Sequence, residues 1–262
     1  MNHLMQSLFI AILLCCIGPS IMAETSSQTL ERAEFFKKRY EPWLQTNNHL
    51  MAKIIDSNGT GAPGLVGNRN VRTVLHGVLY RGGTAESLNP EYDPKNPPLT
   101  QDTQARMCQE GFQRAVYLYD AVLSREPIFC SSENAKNGVL QYTSEVAVAV
   151  TKERKAIPNP LVIRQLLIST KMSIEGAIDA PLYIHCWTGR HASGFLSALA
   201  LKQFCDFTSE EAIDYWNEGT DGSSNFPSFH EEIRNFQPYS DLKIDTDTQK
   251  ALCPQNPYHR AL

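Results

Sequence analysis

Apolar and polar positions recur along this chain with two periods, and each change of period marks an element. Leu30, Ala33, Phe36 and Tyr40 fall at helical spacing over residues 29–40, and Pro42 stops that run. Gly77-Val78-Leu79-Tyr80 reads as a short strand, followed by a loop rich in Pro and Asn and by a helix that Thr100 opens and Gly111 closes. Residues 115–119 and, in a longer run, 139–150 carry the β-formers of two further strands. Asn159 then caps a helix with Pro160 at its first position and an apolar stripe at Leu161, Ile163, Leu166, Leu167, Met172 and Ile174. Residues 181–185 form a short buried strand, a tight polar turn follows, and residues 195–205 continue as a strongly apolar helix. Thr208-x-x-Glu211 and Ser228-x-x-Glu231 match the capping box and predict two more helices, while the tail from Pro238 reads as irregular. Strands alternating with helices predict an α/β fold, a central mostly parallel sheet flanked by helices in one domain.

The Gly-rich stretch at residues 57–67 contains Gly59-x-Gly61-x-x-Gly64, the spacing of a dinucleotide fingerprint. That fingerprint works only when it opens a helix, and here Pro63 and the turn-forming Asn68-Arg69-Asn70 follow, so we set it aside.

Composition narrows the function. With 24 Lys and Arg against 28 Asp and Glu the formal net charge is −4, which argues against nucleic acid as a partner, because phosphate-backbone affinity rests on clustered cations. Residues 1–23 hold no Asp, Glu, Lys or Arg; an unbroken apolar run from Leu8 to Ile17 ends at Gly18-Pro19-Ser20, and Ala23 offers a small residue for cleavage. The segment reads as a secretory signal, the mature chain starting at Glu24, exported to the periplasm or outside the cell. The run is shorter than the roughly 20 residues a bilayer span needs, so no stable membrane span is expected after processing. Cys15 and Cys16 lack the small preceding residue a lipidation site wants.

Removing the signal leaves Cys108, Cys130, Cys186, Cys205 and Cys253, an odd number in an oxidising compartment. Sequence proximity alone suggests Cys108–Cys130 and Cys205–Cys253 as bridges, with Cys186 free; buried reduced thiols are the alternative for the four. No two lie at CxxC spacing, so no structural metal and no cofactor is expected.

Chemistry concentrates at residues 185–194. A strand ending in His185-Cys186, the turn Trp187-Thr188-Gly189-Arg190-His191-Ala192-Ser193-Gly194 and an apolar helix make a strand-turn-helix with a cysteine at the helix mouth. Successive amides of such a turn converge on a concavity, and the helix N-terminus adds about half a positive charge, so the segment is a candidate anion site that favours thiolate over thiol. Cys186 is then a candidate nucleophile; the plain alternative is a small buried hydrophobe at a strand end. Trp187 either stacks on a ligand ring or packs on the fold.

These residues resemble the cysteine-dependent protein tyrosine and dual-specificity phosphatase superfamily, whose signature is His-Cys, five residues, Arg, then Ser or Thr. Gly77 to Gly83, Gly111 to Val116 and Pro181 to Phe195 are similar to successive parts of that fold, which implies a phosphatase-like domain at residues 70–237, a helical and loop extension at 24–69 and a tail at 238–262. The resemblance implies Cys186 as nucleophile, Ser193 as its hydroxyl neighbour, residues Trp187, Thr188, Gly189, Arg190, His191 and Ala192 as the phosphate cradle, and His185 as the group that orients the loop. It departs at one position: the signature Arg falls at 192, where the chain has Ala192. That guanidinium grips phosphoryl oxygens, and an arginine serving phosphoryl transfer is worth about 10³ to 10⁵ in rate. The family's general acid has no obvious counterpart either; Glu153, between Lys152 and Arg154-Lys155, is the one carboxyl in its loop, and a solvated surface charge is its alternative. Lys152, Arg154, Lys155 and Arg190 offer a local cationic rim for a phosphorylated ligand, a phosphoprotein or an inositol phosphate.

Three functions follow as expectations. One is an exported phosphatase-fold protein with weak or no phosphomonoester hydrolysis, pseudophosphatase-like in a binding or regulatory role. Another is an active atypical phosphatase using Cys186, with Arg190 and Glu153 in substitute roles. The third is thiol redox exchange at Cys186.

Overall fold

The computed structural model describes residues 18–44, 50–85, 98–123, 126–131, 138–153 and 155–258, with side chains from residue 27 onward. Helix α1 (Gly18–Tyr40) starts well before the predicted residue 29, so residues 18–23 of the expected signal are helical, and residues 1–17 lie outside the described part. Its inward face is Thr29, Ala33, Phe36 and Tyr40, whereas Leu30 stays exposed. Phe36 and Tyr40 join Tyr80 and Phe112 in an aromatic cluster with centroids 5.2 to 6.0 Å apart, so α1 is built into the core.

The remaining order is β1 (Asn68–Leu75), β2 (Leu79–Thr84), α2 (Gln101–Glu110), β3 (Arg114–Tyr117), β4 (Ile128–Phe129), β5 (Val139–Ser144), β6 (Val148–Val150), β7 (Ala156–Pro158), α3 (Pro160–Ile174), β8 (Leu182–Cys186), α4 (Ala192–Phe204), α5 (Ser209–Gly219), α6 (Pro227–Asn235) and α7 (Thr246–Leu252). The central sheet runs β1-β2-β8-β3-β5-β4. Its middle, β2-β8-β3-β5, is parallel, and β1 and β4 close the edges antiparallel. The chain is thus a single α/β domain with a mostly parallel sheet flanked by helices.

Period-2 alternation sorts β8 between two cores. Leu182, Ile184 and Cys186 face the core that α3, α4, α5 and α6 cover, and Tyr183 faces the opposite one, which α1 and α2 cover. Each large apolar side chain fully buried in these layers stabilises by about 1.5 to 3 kcal/mol.

Several local expectations hold. Thr100 accepts from the Thr103 amide to cap α2 and Gly111 closes it in the left-handed region; Asn159 caps α3; Thr208 and Glu211 make the reciprocal capping box of α5. Others need correction. Asn68-Arg69-Asn70 is the start of β1 and not a turn, because Asn70 takes a left-handed φ of 52° inside a bulge that lets the strand continue. The 139–150 run breaks after Ser144, giving β5 and the β6/β7 hairpin. Ser228 is not the N-cap of α6, which starts at Pro227 after Phe226; its hydroxyl accepts from the Ala156 amide. The tail beyond Pro238 carries α7, capped by Asp245. Leu161 and Met172, assigned to the α3 stripe, are exposed. The fingerprint glycines open no helix: Gly61 bridges Ile55, and Pro63–Leu65 is one 3-10 turn.

Both expected disulfides are present. Cys108–Cys130 ties α2 to the end of β4, and Cys205–Cys253 joins the C-terminal ends of α4 and α7, leaving Cys186 as a free thiol.

Candidate phosphate-binding loop at Cys186

Cys186 ends the central strand β8, between parallel neighbours β2 and β3, at the carboxyl edge where α/β sheets place ligands. The turn from Trp187 to His191 leads straight into α4, whose first residue is Ala192. Three successive carbonyls of this turn are held from behind. The Thr84 amide donates to Trp187 O at 3.1 Å, Asn70 Nδ2 to Thr188 O at 2.8 Å, and Arg81 Nη1 to Gly189 O at 2.9 Å. In a trans peptide the N–H that follows a carbonyl points the opposite way, so the amides of Thr188, Gly189 and Arg190 are each turned away from the donor that holds the preceding carbonyl. Amides freed from such donors are the groups an anion nest draws on, and α4 adds its positive end.

Close approach makes the turn possible. Gly189 sits at a φ of 73°, and a methyl there would come within 2.6 Å of the Gly82 carbonyl carbon; a methyl on Gly83 would come within 2.6 Å of Trp187 O. Arg81 threads beneath, fully buried, between Gly194 of α4 and Gly219 of α5, with its guanidinium 5.0 Å from the Tyr215 ring centre.

Cys186 is 1% exposed, and its sulfur lies 3.3 Å from Ser193 Oγ, which also reaches Gly82 O at 3.2 Å. The serine proton therefore has two destinations, the Gly82 carbonyl or the sulfur once the thiol has lost its own proton. His185 points to the other face. Its Nε2 is 2.8 Å from Tyr142 Oη, its ring stacks against Tyr117, Tyr142 and Tyr183, and burial pushes its pKa down to about 3, so it is a neutral orienting group. Burial first and the Cys186 charge second raise the phenols of Tyr117 and Tyr119.

The other sequence candidates are placed as follows. Arg190 lies 3.5 Å from Asp221, a carboxylate that Lys53 and Arg72 also contact at 2.9 and 3.3 Å. Burial alone would raise the Asp221 pKa, but Lys53, Arg72 and Arg190 hold it below the usual carboxylate value. His191 turns away from the turn to Ser223 O at 2.8 Å, and Trp187 is half-buried. Ala192 is fully buried within the core that contains Cys186. Glu153 and Lys152 sit exposed on the β6/β7 hairpin, where the Thr151 hydroxyl holds the Glu153 carboxyl below its ordinary range; Arg154 lies outside the described residues. Among the described residues no group of three His, Cys, Asp or Glu could hold a metal, and no helix is long and apolar enough to cross a membrane.

Sequence reasoning missed Asn70, Arg81 and Asp221. The Gly82-Gly83 pair was a signal for close backbone approach, and with it for the strand that carries Arg81; Asn70 and Asp221 left none.

No protein-family model and no curated protein sequence matches the chain. Solved structures do. The core catalytic domain of the PP-IP phosphatase SIW14 from S. cerevisiae, in complex with citrate, is 14% identical over 66% of this chain and 88% of its own, with a TM-score of 0.41. A second structure of the Siw14 catalytic core is 15% identical over 66% of this chain and 87% of its own, with a TM-score of 0.45. The Yvh1 phosphatase domain from Chaetomium thermophilum is 14% identical over 60% of this chain and 88% of its own, with a TM-score of 0.36.

Proposed function

We propose that the Cys186 loop holds the phosphoryl group of a phosphorylated ligand and that the protein hydrolyses phosphomonoesters weakly or not at all, a pseudophosphatase-like binding or regulatory role. The observation that carries this reading is the outward fastening of the Trp187, Thr188 and Gly189 carbonyls beside a buried free thiol, at a helix mouth whose first residue is alanine. Backbone amides and a helix end bind an anion in its ground state without any side chain. Lowering the barrier needs charge where the equatorial oxygens gather it, and Ala192 supplies none.

Export belongs to the same proposal: residues 1–23 act as the signal and the domain of residues 70–237 works outside the cytoplasm. N-terminal sequencing of exported protein should begin at Glu24; an intact Met1 in that fraction removes this part.

One observation favours an active enzyme, the 3.3 Å approach of Ser193 Oγ to Cys186 Sγ. In that reading the thiolate forms a bond to phosphorus while the P–O bond to the leaving alcohol breaks, the alkoxide takes a proton, and water then hydrolyses the cysteinyl-phosphate. An aryl phosphomonoester assay with acid quenching separates the two. The binding reading expects no stoichiometric phosphocysteine and turnover close to that of Cys186→Ser; a phosphocysteine burst followed by steady turnover, both lost in Cys186→Ser, overturns it.

A further inference from the structure

The bulge in β1 gives an arginine outside the loop a way into it. Arg72 pairs with Arg81 across the β1/β2 ladder, and Arg69 pairs with Gly83, so three steps on β1 match two on β2. Regular alternation from Arg72 would turn Arg69 to the far face; the extra residue, Asn70, returns it to the near one. Residues directly opposed in an antiparallel pair project from the same face, and a methyl on Gly83 would strike the backbone of Trp187. That face, at that register, is the Cys186 loop. The backbone from Trp187 to Gly189 fills the space over Gly83, and Asn70, next in the bulge, donates to Thr188 O of the same loop, so Arg69 is held against the loop's flank.

Arg69 is 9% exposed, and its Nε is buried without a partner among the described residues. A guanidinium nitrogen that has lost water and gained no acceptor is costly unless an anion joins it. Its electrostatic neighbours are Arg190, which opposes its charge, and Cys186, which favours it; burial is the largest influence and lowers its pKa. The Nε of Arg190 and the Nε and Nη2 of Arg81 are likewise buried without a hydrogen bond, but Arg190 has an ion pair with Asp221 and Arg81 donates Nη1 to the Gly189 carbonyl. Arg69 has no such engagement among the described residues.

Resting on the phosphoryl-binding reading of the loop, we infer that Arg69 supplies the guanidinium the loop lacks at Ala192, its fork reaching past the loop's flank to phosphoryl oxygens over Cys186. The cation has moved from the first residue of α4 to a bulged edge strand, and the planar fork that suits two phosphoryl oxygens is retained.

Alkylation of Cys186 in the full chain tests this without knowledge of the natural ligand. Iodoacetate and iodoacetamide both form an S–C bond with release of iodide, and only the first is an anion, so their rate ratio at Cys186, read by peptide mass mapping, reports nearby positive charge. Arg69→Met should lower that ratio about tenfold and raise the inorganic phosphate concentration that half-protects Cys186 about tenfold. Arg69→Lys, which keeps charge but not the fork, should hold the ratio and still weaken phosphate severalfold, and it serves if the methionine variant folds poorly. An unchanged ratio in Arg69→Met, with the fall appearing in Arg190→Met instead, overturns the inference in favour of Arg190. If phosphate fails to protect Cys186 even in the wild type while the ratio still depends on Arg69, the phosphoryl reading and the grip both fall, and only the placement of Arg69 beside the sulfur stands.

Discussion

Gly189 and Gly82 meet so closely that a methyl on Gly189 would stand 2.6 Å from the Gly82 carbonyl carbon. The turn that follows Cys186 is thereby pressed against β2, and the donors from Thr84, Asn70 and Arg81 can reach its carbonyls.

Gly189→Ala should displace the turn as well as strain it, since φ there is 73°. The expected cost is about 1 to 3 kcal/mol in urea unfolding, together with loss of phosphate protection at Cys186. A variant that keeps both stability and protection would show that the close approach is not needed.

Position 192 tests where the guanidinium belongs. Ala192→Arg alone places a further cation in a fully buried site, at an overpacking cost of about 1 to 3 kcal/mol. Combined with Arg69→Met it should restore the phosphate binding that Arg69→Met loses and raise aryl phosphate turnover by about tenfold, or about 1.4 kcal/mol of barrier. No recovery of binding in a folded double variant would show that the two positions do not serve one site.

Acid lability follows from His185. Its folded pKa, about 3, lies far below the unfolded value of about 6.5, so below pH 6.5 the unfolded chain takes up a proton that the folded chain refuses. Stability is therefore full above pH 6.5 and is lost as the pH falls toward 3, by about 1.5 kcal/mol between pH 6.5 and 5, where carboxylates stay ionised. Burial depresses His230 as well, and Arg234 adds to it, so His230→Gln removes that share. Equal urea stability of the His230→Gln protein at the two pH values would contradict the burial of a neutral His185.

Removing the Cys205–Cys253 bridge by a double serine substitution should cost about 2 to 4 kcal/mol, because it holds the end of α4, the helix whose start forms the loop. Non-reducing peptide mapping should recover both bridges and a free Cys186; four free thiols among the bridged positions would contradict it.

Cys186 and its turn were legible because strand, tight turn and helix lie consecutive in sequence, and local pattern carries them. The β1 edge was not. Asn68, Arg69 and Asn70 have the composition of a turn, yet all three are buried in a strand, because the bulge at Asn70 and the pairing with β2 override local preference. Asp221 lies far along the chain from Lys53 and Arg72, and only the tertiary fold brings the three together. The α7 helix was hidden by its length, a short run capped by Asp245 that shows too few apolar positions for a period.

The loop as an anion cradle is tested most directly by the rate at which iodoacetamide modifies Cys186 as inorganic phosphate is raised, against chloride at matched ionic strength. The account predicts saturable protection by phosphate and none by chloride, since an occupied nest covers the sulfur and simple screening does not. Identical rates in the two salts would contradict the assignment of the Cys186 turn as a phosphate site.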